Sequence, residues 1–431
     1  MASLQLDPDS PLHVLIVGGG LSGLATAIAV SLAGHRATVF EAAPQPHPFG
    51  SGVVTCPNAT RLLSRWGVDG VAEAGNTAIT RWQLCDPRGA PLGPDLIAGG
   101  ESNDTDAEAH QGSQPWTFHR VDLQLALLHR AREVGATVCF GSRVVGLDDD
   151  DDSRVTIQLE SGQTHSGDLM VDAEGTQSKL RNVVLDRSVD PAATGYVAYR
   201  VTVDRSMVRS AELMDFMDMA CIRTWVGKGS YISAFPMRKG TKLSMMVLIP
   251  WSQLQRVGSL TPAQELQDYF KGWDNLVSSM IDAAQRVNKW AAVHLPQLPE
   301  SRSLQGTCIL VGDAANTMSP FLSQGLSLDL EDAGIIGHLL GHVRSASQLS
   351  AATALYAKIR SARARKIREA TAKFESQLRA TAAGGCGDNE KDLNSGASSS
   401  REIETGWLAQ KWMWPYDAYA EAEEAFKLHP F

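Results

Sequence analysis

The stretch that decides the fold reads His13-Val14-Leu15-Ile16-Val17-Gly18-Gly19-Gly20-Leu21-Ser22-Gly23-Leu24 and runs on to Thr38-Val39-Phe40-Glu41. Val14–Val17 is short, apolar and rich in β-branched residues, which predicts a buried strand. Three glycines break it, Leu21–Leu32 resumes with helical composition, and Thr38–Phe40 reads as a second strand. Strand, glycine turn, helix and strand form the opening unit of a doubly wound α/β sheet. Gly18, Gly20 and Gly23 supply G-x-G-x-x-G in the one context that gives this spacing meaning. Their missing side chains allow a tight turn whose N–H groups can meet a pyrophosphate at a helix N-terminus. Glu41 follows at the roughly 20-residue spacing of that motif, where a carboxylate accepts from a ribose 2′-hydroxyl and repels a 2′-phosphate. The site suits FAD or NAD and disfavours NADP as resident nucleotide.

Working outward, Leu169–Val171 and Cys308–Val311 repeat the buried-strand pattern, so the nucleotide-binding domain is expected from separated pieces at 1–79, 117–185 and 296–345. Residues 80–116 and 186–295 differ in character. Tyr196–Val203, Cys221–Val226, Tyr231–Phe235 and Leu243–Ile249 read as strands of an antiparallel sheet on which a substrate could rest. The five aspartates Asp148–Asp152 are expected to form a hairpin turn, and 346–431 to be helical around a low-complexity loop at 384–400.

Bulk properties bound the partners. The 431 residues carry 39 Lys+Arg against 48 Asp+Glu, a net charge of −9, which gives no basic field for nucleic acid. Six scattered cysteines without a CxxC pair are read as reduced thiols in a cytoplasmic protein. The uncharged stretch Val14–Gly34 is long enough to mimic a membrane span, but its glycine cluster and the preceding Asp7 and Asp9 argue against one. His338 and His342, at i and i+4 of an expected helix, lack a third ligand, so no metal is assigned.

Three further segments narrow the reading. Val171-Asp172-Ala173-Glu174-Gly175-Thr176-Gln177-Ser178-Lys179-Leu180-Arg181, Gly312-Asp313-Ala314-Ala315-Asn316-Thr317 through Gly325, and His119-Arg120-Val121-Asp122-Leu123 stand, with the glycine turn, in a fixed order. In that order the chain resembles the class A FAD-dependent aromatic monooxygenases, in their salicylate-hydroxylase-like branch, which includes fungal enzymes of secondary metabolism. The resemblance implies bound FAD, NADPH or NADH as a transient reductant, and O2 as co-substrate. One oxygen atom would pass through a flavin C4a-hydroperoxide to an aromatic or indole-type small molecule. It also implies roles: Gly18, Gly20, Gly23 and Glu41 for the adenosine half, Arg120 and Asp313 along the flavin's ribityl and phosphate chain, and Asp172 with Arg181 in a segment that serves both flavin and nicotinamide binding. Gly52, Gly325 and Leu326 would face the isoalloxazine, and Arg200 with Tyr199, on Gly195-Tyr196-Val197-Ala198-Tyr199-Arg200, would stand beside the substrate. Tyr199, Trp225, Tyr231, Phe235 and Met245 read equally as pocket walls or as core. The chain departs from the family's pattern at Val54, where some members carry a base histidine, at Asn316 in place of histidine, and at Ser323 in place of glycine. A flavin-dependent halogenase, a dehydrogenase and a non-catalytic FAD-binding protein are the competing readings.

Overall fold

The computed structural model describes residues 11–46, 50–68, 75–97, 113–151, 154–254, 260–383 and 412–431. The expected loop at 384–400 and Trp407 lie outside them. His13–Val17 is the centre of a five-stranded parallel sheet in the order Cys308–Leu310, Leu169–Asp172, His13–Val17, Arg36–Glu41, Thr137–Phe140. The strands thus come from three distant stretches of chain. Parallel strands need covered faces, which explains why Val14, Leu15 and Ile16 are all fully buried. The helix Leu21–Leu32 covers one face, packed against the helix Gly325–Leu340 through the close approach of Gly337 to Ala29.

Beyond it stands a seven-stranded sheet in the order Arg286–His294, Ala192–Asp204, Lys242–Pro250, Ser230–Met237, Cys221–Gly227, Arg81–Cys85, Leu96–Ile97. Two expectations need correction here. The sheet is not wholly antiparallel: Arg81–Cys85 runs parallel to Cys221–Gly227, as a long crossover permits and a hairpin does not. The edge strand Arg286–His294 escaped the sequence reading because it is mostly exposed or half-buried and carries no clean apolar alternation. The aspartate run is also corrected. Asp148–Asp151 belong to the strand Val144–Asp151 rather than to its turn, and Asp149 accepts from the Thr307 hydroxyl.

The helix Leu349–Ala383 packs on the Tyr231 face of the seven-stranded sheet, with Ile367, Phe374 and Leu378 buried in one core with Tyr231 and Phe321. Met413 and Trp414 enter the same core, while Arg363 lies over the Trp412 and Tyr416 rings. No helix among the described residues is long and apolar enough to cross a membrane.

Candidate functional site: a nucleotide cleft opening on a sheet-walled pocket

At the carboxyl ends of the parallel strands lies a cleft of about 440 Å³, bordered by Gly18, Gly20, Glu41 and the Ala173–Gly175 turn. The three glycines are required for three different reasons. Gly18 adopts φ +109°, and a Cβ there would lie 2.4 Å from the Ala173 carbonyl oxygen. A Cβ on Gly23 would meet the Gly18 oxygen at 2.0 Å, so this glycine seats the helix on the turn. A Cβ on Gly20 would meet nothing within 4 Å, because the space beside it is the cleft itself. Glu41 accepts from the Gly19 N–H at 2.6 Å and the Ala43 N–H at 2.7 Å, which fixes its carboxylate at the cleft wall with lone pairs to spare.

A second cavity of about 300 Å³ adjoins the first, and Arg120, Asp313 and Asp329 border both. Gly325 and Leu326 line it at the start of a 16-residue helix, whose first N–H groups have no acceptor within the helix. Dehydration in the cleft raises the Asp313 carboxyl above its ordinary range, against the opposing pull of Arg120. Asp329 is raised further, by dehydration and then by Asp313 and Asp332. Asp329 escaped the sequence reading, although it lies one helical turn beyond Gly325, a spacing that could have found it.

The seven-stranded sheet forms the far wall, and its register decides which side chains face the cavity. Arg200 pairs with Met246 and Met246 with Ser233, so these three share one row on the cavity face. Tyr199 pairs with Val247, Val247 with Ile232, and Ile232 with Trp225, a row on the opposite face. Tyr199, Trp225 and Met245 are therefore buried in the core behind the sheet, the second of the two readings open to them, and the expectation that Tyr199 stands beside the substrate is corrected. Tyr199 donates its hydroxyl hydrogen bond to Glu265 at 2.9 Å, away from the cavity. Tyr231 and Phe235 do line the cavity, joined by Trp290 of the edge strand. The Tyr231 hydroxyl is buried beside the hydroxyls of Ser233, Thr224 and Ser323, and burial pushes its pKa up to about 12.

Arg200 donates to the Ser51 hydroxyl and, at 2.7 Å, to the Gly52 carbonyl. No carboxylate among the described residues stands within ion-pair distance of it. Dehydration, and secondarily Arg120, lowers its pKa to about 10. Gly52 permits this approach, since a Cβ would lie 2.4 Å from the Ser244 Cβ. Val54 lines the cavity, and no histidine does among the described residues.

Asp172 reaches neither cavity. It is fully buried, accepting from the Glu174 N–H at 3.0 Å and the Ser178 hydroxyl at 2.5 Å. The buried Arg181 donates to the carbonyls of Gly175, Thr176, Val189 and Ala314. Both residues shape the turn that borders the cleft, which corrects the expectation of direct contact for Asp172. Behind the Gly325 helix, Arg360 pairs with Glu331 at 2.9 Å and Asp332 at 2.5 Å, and Arg363 with Glu331 at 2.9 Å, all buried. Asp332 also accepts from the Gly312 N–H at 2.8 Å, so this network anchors the turn that presents Asp313. Glu331 and Asp332, adjacent on a largely apolar helix that also carries Asp329, signal buried partners, but nothing in the sequence says which cations supply them.

Ser323 adopts φ +52°, in the left-handed region. That conformation is the physical reason glycine is common there, and serine meets it with modest strain.

A glycine turn at a helix N-terminus, an acid fixed at the second strand's end, and a cleft continuous with a sheet-walled pocket define a dinucleotide-binding protein with an adjoining small-molecule pocket. The family model described as FAD binding domain matches residues 11–371. The chain is 30% identical over 421 residues to "FAD-dependent monooxygenase OpS4" of Beauveria bassiana, spanning 96% of this chain and 97% of that protein. It is 27% identical over 338 residues to "3-hydroxybenzoate 6-hydroxylase" of Polaromonas naphthalenivorans, 78% and 80% of the two chains. Among solved structures, CtdE in complex with FAD and a substrate superposes with a TM-score of 0.79 at 19% identity, covering 97% of this chain and 98% of that one. A salicylate hydroxylase substrate complex gives 0.75 at 22%, covering 96% and 98%. The chain belongs to the FAD binding domain family and is a class A FAD-dependent monooxygenase.

Proposed function

We propose that the protein uses NADPH or NADH and O2 to insert one oxygen atom into an aromatic or indole-type small molecule held between Arg200 and the Tyr231–Phe235 wall. The observation that carries this reading is Arg200. It is a guanidinium without a carboxylate partner among the described residues, placed at a cavity that meets the nucleotide cleft, and such a group favours a carboxylate, phenolate or carbonyl oxygen of a ligand. Trp290 and Phe235 offer aromatic rings, Tyr231 a buried hydroxyl, and Ser233 a small polar group on the same wall.

FAD fits the cleft by the chemistry of its border. Gly20 leaves backbone open to a pyrophosphate, Glu41 presents a carboxylate to a ribose, and Arg120 and Asp313 stand between cleft and pocket. Gly325 and Leu326 would place the positive end of their helix beside the isoalloxazine. When bound and reduced, the flavin supplies activated oxygen to the pocket. The chain's own residues orient the ring, exclude water with apolar walls, and keep positive charge near the developing anion. With Val54 where some relatives carry a base, no histidine among the described residues faces the pocket to take a phenolic proton. That favours a substrate already electron-rich without deprotonation, such as an indole, or one that arrives ionised.

No lysine among the described residues lines the pocket, which weighs against halogenation. Five described cysteines without disulfides go with a cytoplasmic place, and the fungal relative goes with secondary metabolism. The test is to purify the yellow protein and follow nicotinamide consumption and product mass with phenols, aromatic acids and indoles. The expected result is a product heavier by one oxygen, at a rate that depends on the ring offered. Slow, substrate-independent nicotinamide oxidation with flavin tightly bound would instead mark a non-catalytic FAD protein.

A further inference from the structure

His338, near the end of the helix Gly325–Leu340, and His342, in the turn that follows, leave the sequence with two imidazoles and no third ligand. The fold supplies one. The helix Ala418–Leu428 docks beside them and brings Glu423 so that one carboxylate oxygen, Oε2, lies 3.0 Å from His338 Nε2 and 3.1 Å from His342 Nε2. All three ligand atoms lie within 4.8 Å of one another. From this convergence we propose that His338, His342 and Glu423 bind a zinc-class divalent cation that clips the C-terminal helix to the helix whose N-terminus faces the flavin pocket.

The distances fit. A tetrahedral cation with metal–ligand bonds of about 2.05 Å holds its donor atoms about 3.3 Å apart. The two nitrogen–oxygen separations already lie within a few tenths of an ångström of that spacing. The third separation, between the two Nε2 atoms, is no more than 4.8 Å, and rotation of one imidazole would bring it to that spacing. The side chains are held ready: the His342 ring stacks on Phe426 at 3.9 Å and His338 meets the Tyr419 ring at 5.1 Å. Lys427 binds the other carboxylate oxygen, Oε1, at 3.2 Å, which turns Oε2 toward the histidines. Such outer contacts orient ligands in known metal sites.

The donor set selects the ion. Two imidazoles and one carboxylate suit Zn²⁺ and its neighbours rather than Mg²⁺ or Ca²⁺, which prefer all-oxygen shells. His342 is nearly buried while Glu423 remains 35% exposed, leaving a solvent-side path for the ion and a fourth position for water. The cluster belongs to neither cavity described above, so the role is structural.

The experiment titrates EDTA-treated, FAD-loaded protein with ZnCl2 by calorimetry, and follows hydrogen exchange of residues 418–428. The expected result is one Zn²⁺ per chain, slowed exchange in that helix, and affinity about tenfold or more weaker in both His338→Ala and Glu423→Gln, with flavin absorbance unchanged in all. Glu423→Gln is half-exposed and isosteric, so it keeps the test open should the histidine variant fail to fold. Absence of saturable one-equivalent binding by the unmodified protein at about 100 µM Zn²⁺, a concentration well above the dissociation constant of such sites, would overturn the proposal and leave the cluster a hydrogen-bonded clasp. Equal affinity in Glu423→Gln would overturn it as well.

Discussion

Replacing Arg200 by methionine separates what the residue does for the fold from what it does for the substrate. In the structure its guanidinium has no carboxylate among the described residues within reach, and its pKa falls from 12.5 to about 10. At about 1.4 kcal/mol per pH unit, that fall corresponds to roughly 3 kcal/mol of destabilisation carried by the folded chain. Methionine removes the charge and keeps most of the apolar stem. Two hydrogen bonds are lost, to the Ser51 hydroxyl and the Gly52 carbonyl, worth about 1.5 kcal/mol each when the donor is charged. The two effects nearly cancel, so Arg200→Met should unfold within about 2 kcal/mol of the parent and keep its flavin. Turnover should not survive so well. An anionic or carbonyl oxygen of the substrate loses a charge-assisted hydrogen bond of about 1.5–3 kcal/mol, a fall of roughly ten- to hundredfold in kcat/KM. Urea denaturation followed by circular dichroism, flavin absorbance per chain and product mass measure the three quantities on one sample. A variant destabilised by more than about 4 kcal/mol, the cost of breaking a buried ion pair, with unaltered kcat/KM in the surviving fraction, would refute the reasoning and make Arg200 an anchor of the Ser51–Gly52 loop.

Three other outcomes follow from contacts already described. Gly18→Ala forces a Cβ to 2.4 Å from a carbonyl at φ +109° and should lose about 2 kcal/mol or more in a urea melt. Gly20→Ala, with nothing within 4 Å, should melt normally yet bind FAD about tenfold more weakly in a flavin titration, since one methyl enters the cleft; the reverse pattern would contradict the assignment of the two glycines. Burial pushes the Asp172 carboxyl up to about 7, so folding favours its protonated form. The stability this contributes is fully present below the unfolded value of 3.8 and is lost as pH rises through about 7, a change of about 4 kcal/mol. Asp172→Asn should remove that slope between about pH 4 and pH 7, and equal slopes in both proteins would show that another group carries it. Arg360→Leu leaves the buried Glu331 without one of its cations and Asp332 without its only ion-pair partner among the described residues. It should destabilise by about 3–5 kcal/mol and lower flavin content through the Gly312 turn. Arg360→Lys should rescue little, because a single ammonium cannot span two carboxylates as the guanidinium does.

The nucleotide half of the protein was legible in the sequence because its determinants are local. A tight turn, a backbone open to phosphate and a strand-end acid are all properties of Gly18–Glu41, and the same holds for the turns at Ala173–Gly175 and Gly312–Asp313. Arg200 was singled out through the family resemblance of Gly195–Arg200, on a stretch that also reads as a strand. Which neighbours share its face was a different matter. Tyr199 and Trp225 seemed equally fit for a pocket wall, and only the register across three strands put them in the opposite row. The contact of Glu423 with His338 and His342, and of Arg360 with Glu331 and Asp332, joins residues from separate helices. Such pairings carry no sequence spacing, because long-range packing, not local chain geometry, brings the partners together. Short-range stereochemistry therefore determined where a dinucleotide can lie, whereas the shape of the substrate pocket, the buried ion pairs behind it and the C-terminal clasp were decided when strands and helices met in three dimensions.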